Sequence, residues 1–385
     1  MMLRRVVAVA CFLLATLVTH SPAVRVASAE EGFRSLFNGQ DLTGWVAVNT
    51  APSTWTVQKG MLVCSGKPIG ELRTDRMYQN FILELEWRHM VPRGNAGVFV
   101  WADDITARGV PFHRSIEVQV LDTNHGDVFP IHGARMTPIN GRGSRAFPTE
   151  KRSKPSPEWN HYRITCQDGK ISLAVNATVV TRGTDCNPRK GYICLESEGG
   201  IVHYRNIRIK ELQATPIDPE DVALADRGFH SLYTGLDLSG WKATPEILSF
   251  WHARDWRLVF DDVASDGDKG IATTQSWGDI GFIVDIRLSA DSRTPRILLR
   301  GSENASIALD PSDALLAPHL ASARQWNRLE GTLRGDRLTL ILNGHELFRD
   351  KLVSGVPERG PLKLSPQGPV EFANIYVRDL TNSRD

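Results

Sequence analysis

Apolar and polar residues alternate along much of the chain after residue 30, most clearly in the segment 114–122. Because successive side chains of a β-strand point to opposite faces, Ile116, Val118 and Val120 can face a core there. Glu117 and Gln119 then share the other face. Glu is disfavoured inside strands, so an acid and an amide on one face indicate a polar working surface. The alternative is the plain solvated face of an antiparallel sheet.

Similar patterns predict many short strands separated by Gly, Pro, Asn and Asp. In the first half they cover 55–64, 80–90, 95–101, 115–122, 160–167, 170–176, 191–196 and 202–212. Such a series predicts an all-β sandwich or jelly roll. A short helix is expected only near residue 218, where Asp218-Pro219-Glu220 can start a helix that ends at Ala225.

A repeat divides the chain. The opening motif Gly32–Trp45 recurs as Gly228–Trp241, and five further matches follow in the same order. Six ordered matches predict two homologous domains in tandem. The predicted domains are 30–212 and 228–380, joined by a linker at 213–227.

Residues 1–29 have the pattern of a secretory signal peptide, with Arg4-Arg5, an apolar run and a small-residue cleavage site at Ala27–Ala29. The sequence therefore predicts a secreted or periplasmic protein, with no membrane association after cleavage. The leader holds Arg4, Arg5 and Arg25 and no acid, so the 45 basic residues fall to 42 against 44 acidic ones. This balance argues against a nucleic-acid partner.

Four cysteines follow the leader: Cys64, Cys166, Cys186 and Cys194. An exported protein meets an oxidising environment, so at least one disulfide is expected among the last three. Their spacing does not indicate a zinc site.

The two copies differ in their polar residues. The first contains a long loop, 123–158, with several histidines and arginines, and long loops in compact domains are often functional. Aligning 116–119 with 307–310 puts Ala308 opposite Glu117, and aligning 195–196 with 364–365 puts Ser365 opposite Glu196. Because the first copy alone keeps these acids, it is the predicted site of activity and the second copy is degenerate.

The first copy resembles the 3-keto-disaccharide hydrolase domain family. The resemblance rests on Leu36–Trp45, Asn95–Phe99, Ile116–Asp122, Glu158–Asn160 and Tyr204–Leu212, and it covers residues 32–212 well and 228–380 weakly. It implies two concanavalin-like jelly rolls and action on glycosides oxidised at C3 of the sugar. The commoner family pattern has Gln or His where this chain has Leu195-Glu-Ser-Glu198-Gly.

A C3 ketone acidifies the C2–H bond, so a base can remove that proton and the C1 oxygen can leave by elimination. Water then adds to complete hydrolysis. The reaction needs a base, an acid and donors to the enolate. Glu117 is the expected base, Gln119 its orienting partner and His132 or His125 the acid. Expected substrate-binding residues are Arg73, Arg88, Arg114, Glu84, Glu86, Asp122, Glu196 and Trp101.

No cofactor is required by this scheme. A divalent cation held by Glu117, Asp122, Glu196 and a histidine could replace the arginine donors.

Two alternative functions remain. One is a glycosidase with two carboxyl groups. The other is a non-catalytic, lectin-like module in which Trp87, Trp101 or another aromatic residue stacks on the sugar. Each hypothesis takes an oligosaccharide or glycoside as its partner.

Overall fold

The computed structural model describes residues 31–122, 125–225, 227–262 and 267–381. The predicted signal peptide, 1–29, lies outside these ranges. Within them, no helix combines the length and the apolar character needed to cross a membrane.

Among the described residues, the first sandwich has seventeen strands between residues 34 and 211. They are β1 (Arg34–Ser35), β2 (Trp45–Val48), β3 (Trp55–Gln58), β4 (Met61–Cys64), β5 (Gly70–Thr74), β6 (Phe81–His89), β7 (Gly97–Ala102), β8 (Ser115–Gln119), β9 (Val128–Ile131), β10 (Arg135–Pro138), β11 (Gly141–Arg142), β12 (Arg145–Ala146), β13 (Asn160–Gln167), β14 (Lys170–Val175), β15 (Thr178–Asn187), β16 (Tyr192–Ser197) and β17 (Val202–Glu211). One sheet has the order β10-β15-β14-β13-β6-β17-β4-β3, with β1 beside β17, and the other has the order β11-β12-β9-β8-β7-β16-β5-β2.

In the described part of 230–379, the second sandwich has thirteen strands. They are β18 (His230–Ser231), β19 (Trp241–Lys242), β20 (Trp251–Arg254), β21 (Arg257–Phe260), β22 (Ile271–Thr273), β23 (Ile280–Leu288), β24 (Arg296–Leu298), β25 (Ser306–Ala308), β26 (Trp326–Arg334), β27 (Arg337–Leu342), β28 (His345–Leu352), β29 (Lys363–Ser365) and β30 (Val370–Asp379). Its sheets have the orders β20-β21-β30-β23-β26-β27-β28, with β18 beside β30, and β19-β22-β29-β24-β25. The predicted all-β fold with two tandem jelly-roll sandwiches is confirmed.

Helical structure is scarce. The one α-helix among the described residues is α1 (Pro245–Leu248), and 3-10 turns occupy Pro219–Asp221, Leu299–Gly301, Glu303–Ala305 and Ala317–His319. The helix expected up to Ala225 is therefore only the single 3-10 turn Pro219–Asp221. Pro219 starts it, but the chain is already extended at Val222, where ψ is 130°.

Apolar and polar residues alternate along each strand, and the apolar side chains form the core between the two sheets. On β6, Leu83, Leu85 and Trp87 are at most 1% exposed, whereas Glu84 and Glu86 point to the outer face. Ile116 and Val118 of β8 face the same core from the opposite sheet. Full burial of each such side chain contributes about 1.5–3 kcal/mol, so the core sets the register of both strands.

The long loop is partly ordered into strands. Strands β9, β10, β11 and β12 all fall between residues 128 and 146, and β9 extends the sheet beside β8. Strands β9, β11 and β12 of the loop therefore continue the sheet that carries Glu117, whereas β10 joins the opposite sheet. Residues 123 and 124 lie outside the described ranges.

The cysteine prediction is wrong. Cys64, Cys166, Cys186 and Cys194 are all buried and all free. They pack as small apolar side chains, and burial raises the pKa of the Cys186 thiol to about 12 and that of the Cys64 thiol to about 11.

The paired motifs make the same contacts in both sandwiches. The Trp45 indole donates to the Leu36 carbonyl at 2.8 Å, and the Trp241 indole donates to the Leu232 carbonyl at 2.9 Å. The register of β25 differs from the sequence alignment by two residues. Ala308 therefore matches Gln119, and Ser306 matches Glu117. In either register, the second copy has no acid at this position.

Residues 103–112, within the connection between β7 and β8, contact the second sandwich. The Gly109 amide donates to Asp285 Oδ2 at 2.8 Å, and Arg328 donates to the Thr106 carbonyl at 3.1 Å. Arg328 also donates to Asp285 Oδ1 at 2.7 Å, which satisfies the buried carboxylate. The second sandwich thus holds the segment that leads into β8.

Gly109 lies in this contact at a position with no room for a side chain. It has a φ of +73°, and a Cβ there would lie 2.2 Å from Cδ1 of Trp326. We expect Gly109→Ala to destabilise the docked arrangement by about 1–3 kcal/mol, as overpacking usually does. Chemical denaturation should then separate into two transitions.

Gly143→Ala is the matched control, since Gly143 has a φ of +61° but nothing within 4 Å of its Cβ position. It carries the backbone strain without the clash. Equal effects of the two substitutions on the denaturation curve would contradict a specific role for Gly109.

Candidate active site

The side chains of Glu117 and Gln119 lie on the outer face of the β8 sheet. Glu117 pairs with Phe99 of β7, Phe99 with Cys194 of β16, and Cys194 with Arg73 of β5. Directly paired residues share a face, so these positions form one row across four strands. In the next row, Glu196 pairs with Glu71. The register thus brings acids from three strands onto one surface.

Gly97 makes room for two of these acids. A Cβ at this position would lie 3.0 Å from Glu196 Oε2 and 3.2 Å from Glu117 Cγ. The missing side chain lets the two carboxyl groups approach each other over β7. Glu196 Oε2 is buried and has no hydrogen-bond partner among the described residues. This oxygen is free to bind a proton or a substrate hydroxyl.

Burial and mutual repulsion change the ionisation of these acids. Burial first, and then the nearby Glu198, raises the pKa of Glu117 to about 8, although Arg145 opposes the shift. Burial and the charge of Glu117 raise the pKa of Glu196 well above its usual range. Closely placed carboxyl groups in a low dielectric resist double ionisation. The pair can therefore hold a proton near neutral pH.

Two side-chain amides and one arginine lie beside the acids. Gln119 Nε2 donates to Asn95 Oδ1 at 2.8 Å, and the Asn95 amide donates to Glu198. Arg145 of β12 donates to Asp127 Oδ2 at 2.6 Å and more weakly to Gln119 Oε1 at 3.4 Å. Its side chain is 36% exposed. Arg145 is therefore a partly exposed cation beside Gln119.

On the same surface, β5 carries one member of a buried ion pair. The His113 amide donates to Glu71 Oε1 at 2.7 Å, and His113 Nδ1 bonds to Glu71 Oε2, with both side chains fully buried. Burial disfavours the imidazolium, but the charge and hydrogen bonds of Glu71 outweigh it and raise the pKa of His113. The charged pair anchors the start of β8 to β5.

Three of the predicted residues, Glu117, Gln119 and Glu196, come together, and Arg73 lies on the same face. Arg73 donates to the Thr74 carbonyl and covers the Tyr192 ring at 4.3 Å. Its guanidinium therefore packs towards the β2 edge.

Glu84, Glu86 and Arg88 lie on β6, in the opposite sheet, and this corrects the prediction that they share a face with Glu117. Glu84 is paired with Arg163 and Arg208, and Glu86 with Arg205. Arg88 contacts His203 and the Trp159 ring. Alternation identified their outward direction but not their sheet.

Trp101 is fully buried, so it cannot offer its ring to a sugar. Its indole donates to the Gln79 carbonyl at 2.8 Å. Trp87, the other proposed platform, is 1% exposed. The prediction that Trp87 or Trp101 stacks on a sugar is therefore wrong, since both rings fill the core between the sheets.

The two loop histidines are less suited to acid catalysis than expected. His125 stacks on Trp87 at 4.7 Å, and burial lowers its pKa to about 4, so it is neutral at pH 7. His132 is exposed at the end of β9 and lies 6.4 Å from the Phe112 ring. Neither has a hydrogen bond to Glu117 among the described contacts.

The remaining predicted residues form separate contacts. Arg114 pairs with Asp103 at 2.9 Å. Asp122 accepts the backbone amides of Arg93 at 2.9 Å and Ser156 at 3.2 Å. The predicted cation ligands are therefore not assembled, because Asp122 is committed to these amides.

Another group in the described ranges has ligand-type atoms, from Glu71, His113 and Cys194, within 4.8 Å of one another. The Glu71–His113 bonds already satisfy both carboxylate oxygens of Glu71. We interpret this group as an ion pair with a neighbouring thiol rather than as a metal centre.

Sequence reasoning missed Glu71, His113, Asn95, Glu198 and Arg145 as members of the site. Two signals were available: Glu198 lies two residues after Glu196, and Glu71 alternates with Leu72 in a short strand-like run. Their assembly depends on strand order, which alternation does not reveal.

Residues 32–210 match the family model of the 3-keto-alpha-glucoside-1,2-lyase-like domain. The first sandwich is therefore a domain of this family. No curated protein matches the chain.

Solved structures with a similar fold have low identity. One is a protein of Parabacteroides distasonis ATCC 8503 described as a glycosyl hydrolase, 22% identical, which covers 48% of this chain and 95% of its own with a TM-score of 0.39. Others are carbohydrate-binding module CBM66 of Bacillus subtilis (12% identity, coverage 44% and 96%, TM-score 0.35) and a Bacillus licheniformis β-glucanase (13%, coverage 47% and 97%, TM-score 0.31).

The acids also make stability depend on pH. The pKa of Glu117 rises from 4.5 to about 8 on folding, so its contribution to stability is fully present below pH 4.5 and is lost as the pH rises towards 8. Glu117→Gln removes this dependence. We expect the variant to gain a few kcal/mol over the parent between pH 5 and pH 9, since one pKa unit corresponds to about 1.4 kcal/mol.

Urea denaturation at the two pH values measures the gain. Glu150→Gln, at an exposed position, is the control and should show no such change. Parallel pH profiles for Glu117→Gln and the parent protein would contradict the pKa assignment.

Proposed function

We propose that the first domain cleaves glycosides whose sugar carries a ketone at C3. The observation that carries the proposal is the pair of buried carboxyl groups, Glu117 and Glu196, held over Gly97 in a domain of the 3-keto-alpha-glucoside-1,2-lyase-like family. The coarser conclusion, a carbohydrate-active domain, follows from the family match alone. The 3-keto substrate is the proposal.

Glu117 is the proposed base. Its raised pKa means that about a tenth of the carboxyl groups are ionised at pH 7 in the ligand-free protein. The ionised form is a stronger base than an ordinary carboxylate, which suits removal of a C2 proton beside a ketone. The activity should therefore increase as the pH rises towards 8.

Glu196 is the proposed acid. Its carboxyl group stays protonated at neutral pH, and its unpartnered Oε2 is directed towards Glu117 across Gly97. It replaces His132 and His125 in the role expected from the sequence. Arg145 can donate to the oxygen on C3 as negative charge develops there.

The proposed reaction has two steps, elimination and addition of water. Glu117 takes the proton from C2, the C2–H electrons form the C1–C2 double bond, and the C1–O bond breaks as Glu196 protonates the leaving oxygen. Water then adds, with its hydroxyl at C1 and its proton at C2. The products are those of hydrolysis.

NMR of the reaction in deuterated water tests this proposal. The protein is incubated with a 3-keto-glucoside, and cleavage with deuterium at C2 is the expected result. Cleavage without deuterium would favour a glycosidase with two carboxyl groups. Binding without cleavage by folded protein, with and without added divalent cations, would favour the lectin-like module.

We also propose that the protein acts outside the cytoplasm. The support is the leader pattern of residues 1–29. N-terminal sequencing of the protein recovered from periplasm or medium should begin at residue 30.

A further inference from the structure

Two arginines lie directly opposite each other on the face of the sheet that carries the acids. Arg142 of β11 pairs with Arg145 of β12. The next residue, Ala146, pairs with Val128 of β9, and both are fully buried in the core. Because side chains alternate between the two faces along a strand, Arg142 and Arg145 point to the outer face, the face of Glu117.

The two arginines differ in their partners. Arg145 donates to Asp127 Oδ2 at 2.6 Å, and its Cζ lies 4.0 Å from the ring centroid of Phe129, the residue that pairs with Glu117. Arg142 is exposed, and its side chain has no hydrogen bond, ion pair or ring contact with any described residue. Like charges directly opposite each other destabilise a sheet, and only Arg145 has a carboxylate to offset this. The pair therefore leaves one uncompensated positive charge on this face.

Strand order places this charge on one side of Glu117. In the order β11-β12-β9-β8-β7-β16, the arginines lie on one side of Glu117 and Glu196 lies on the other. At about 4.8 Å per strand, the backbones of β12 and β11 are about 10 and 14 Å from that of β8. A sugar ring and an extended arginine side chain together span such a distance. A sugar bound at Glu117 can therefore reach Arg142 with the end of its ring that points away from Glu196.

We propose that the substrate sugar is acidic, with a carboxylate or sulfate group on the side of its ring away from C1, and that Arg142 binds this group. The inference rests on the proposed function, which places the leaving oxygen on C1 at Glu196. The anionic group then belongs to the sugar that carries the ketone and not to the leaving group. Arg145 stays at the C3 oxygen, and its charge adds to that of Arg142. A guanidinium suits this role, because its planar set of donors matches two oxygens of a carboxylate or sulfate.

Substrates that differ only at C6 test the proposal: a 3-keto-glucoside, its 6-sulfate and the corresponding 3-keto-glucuronide. We expect the parent protein to cleave at least one of the two anionic substrates with a kcat/KM about tenfold above that of the neutral one, since hydrogen bonds to charged groups are the stronger ones. The faster anionic substrate tells carboxylate from sulfate. Arg142→Gln should reduce this preference to about two- to threefold. Equal rates on all three substrates, or a preference that Arg142→Gln leaves unchanged, would overturn the proposal.

Arg182→Gln is the matched control. Arg182 is also exposed, but it lies on β15 in the opposite sheet. The substitution removes the same charge from the same domain, so its preference should equal that of the parent protein. An equal loss of preference in both variants would mean that the net charge of the domain, and not Arg142, attracts the anion.

A negative charge on the leaving group tests the orientation. The 3-keto derivative of a 4-carboxybenzyl glucoside should be cleaved no faster than that of the benzyl glucoside, because Arg142 lies away from Glu196. A gain for the carboxylated substrate that Arg142→Gln abolishes would place the anion on the leaving group and overturn the proposal.

Binding of unreactive sugars separates a failure of this inference from a failure of the proposed function. If no 3-keto substrate is cleaved, NMR titrations with methyl glucuronide, methyl glucoside 6-sulfate and methyl glucoside still measure the interaction. Tighter binding of either anion, lost in Arg142→Gln and weakened by salt, would support the acidic sugar without the cleavage. Equal binding of all three sugars would overturn it.

Discussion

Glu117→Gln is expected to lower kcat/KM for a 3-keto-glucoside by about 10²–10⁴-fold, the usual contribution of a general base. The amide keeps the size of the side chain but cannot accept the C2 proton. It also removes the negative charge that raises the pKa of Glu196. The variant should remain folded, and initial rates over a pH series measure the effect.

Glu86→Gln is the matched control, because Glu86 lies in the same domain but on the outer face of the opposite sheet, paired with Arg205. Its kcat/KM should be close to that of the parent protein. A Glu117→Gln enzyme that retains its rate and still exchanges deuterium at C2 would assign the base to another residue.

His113→Ala should have the largest effect on stability, a loss of about 3–5 kcal/mol in the free energy of unfolding. The substitution leaves the Glu71 carboxylate fully buried without its ion-pair partner and opens a cavity beside it. Urea denaturation followed by tryptophan fluorescence measures the loss. A raised folded-state pKa of His113 gives stability that is present below pH 6.5 and declines at higher pH, so the loss should be greater at pH 6 than at pH 9.

His161→Ala provides the comparison, since His161 is 37% exposed and lies 3.8 Å from Glu84. Exposed ion pairs contribute about 0–1 kcal/mol, so its loss should be small. Similar losses for the two substitutions would mean that the His113–Glu71 pair contributes little to stability.

Much of the first sandwich could be predicted from alternation, because its core strands bury one face and expose the other. The strands β6, β8, β13, β14, β16 and β17 lie close to their predicted ranges. Within the site, Glu117 and Gln119 followed from alternation and Glu196 from comparison of the two copies. The domain limits themselves stay a prediction.

What could not be predicted depends on strand order and on local breaks in alternation. Glu71 reaches the site because β5 pairs with β16, which are more than 100 residues apart in sequence. Trp101 shows the second effect. Its φ of +56° accompanies a register shift between β7 and β16, and the ring turns into the core.

The contact of the second sandwich with residues 103–112 has a consequence for which of its own residues can change. That segment runs directly into His113 and the strand that carries Glu117, so the second copy is useful as a clamp even without acids of its own. The Asp285 surface of the second sandwich is therefore constrained by what the first sandwich needs. Ser306 and Ala308, which lie at the positions that match Glu117 and Gln119, make none of these contacts and are free of that constraint.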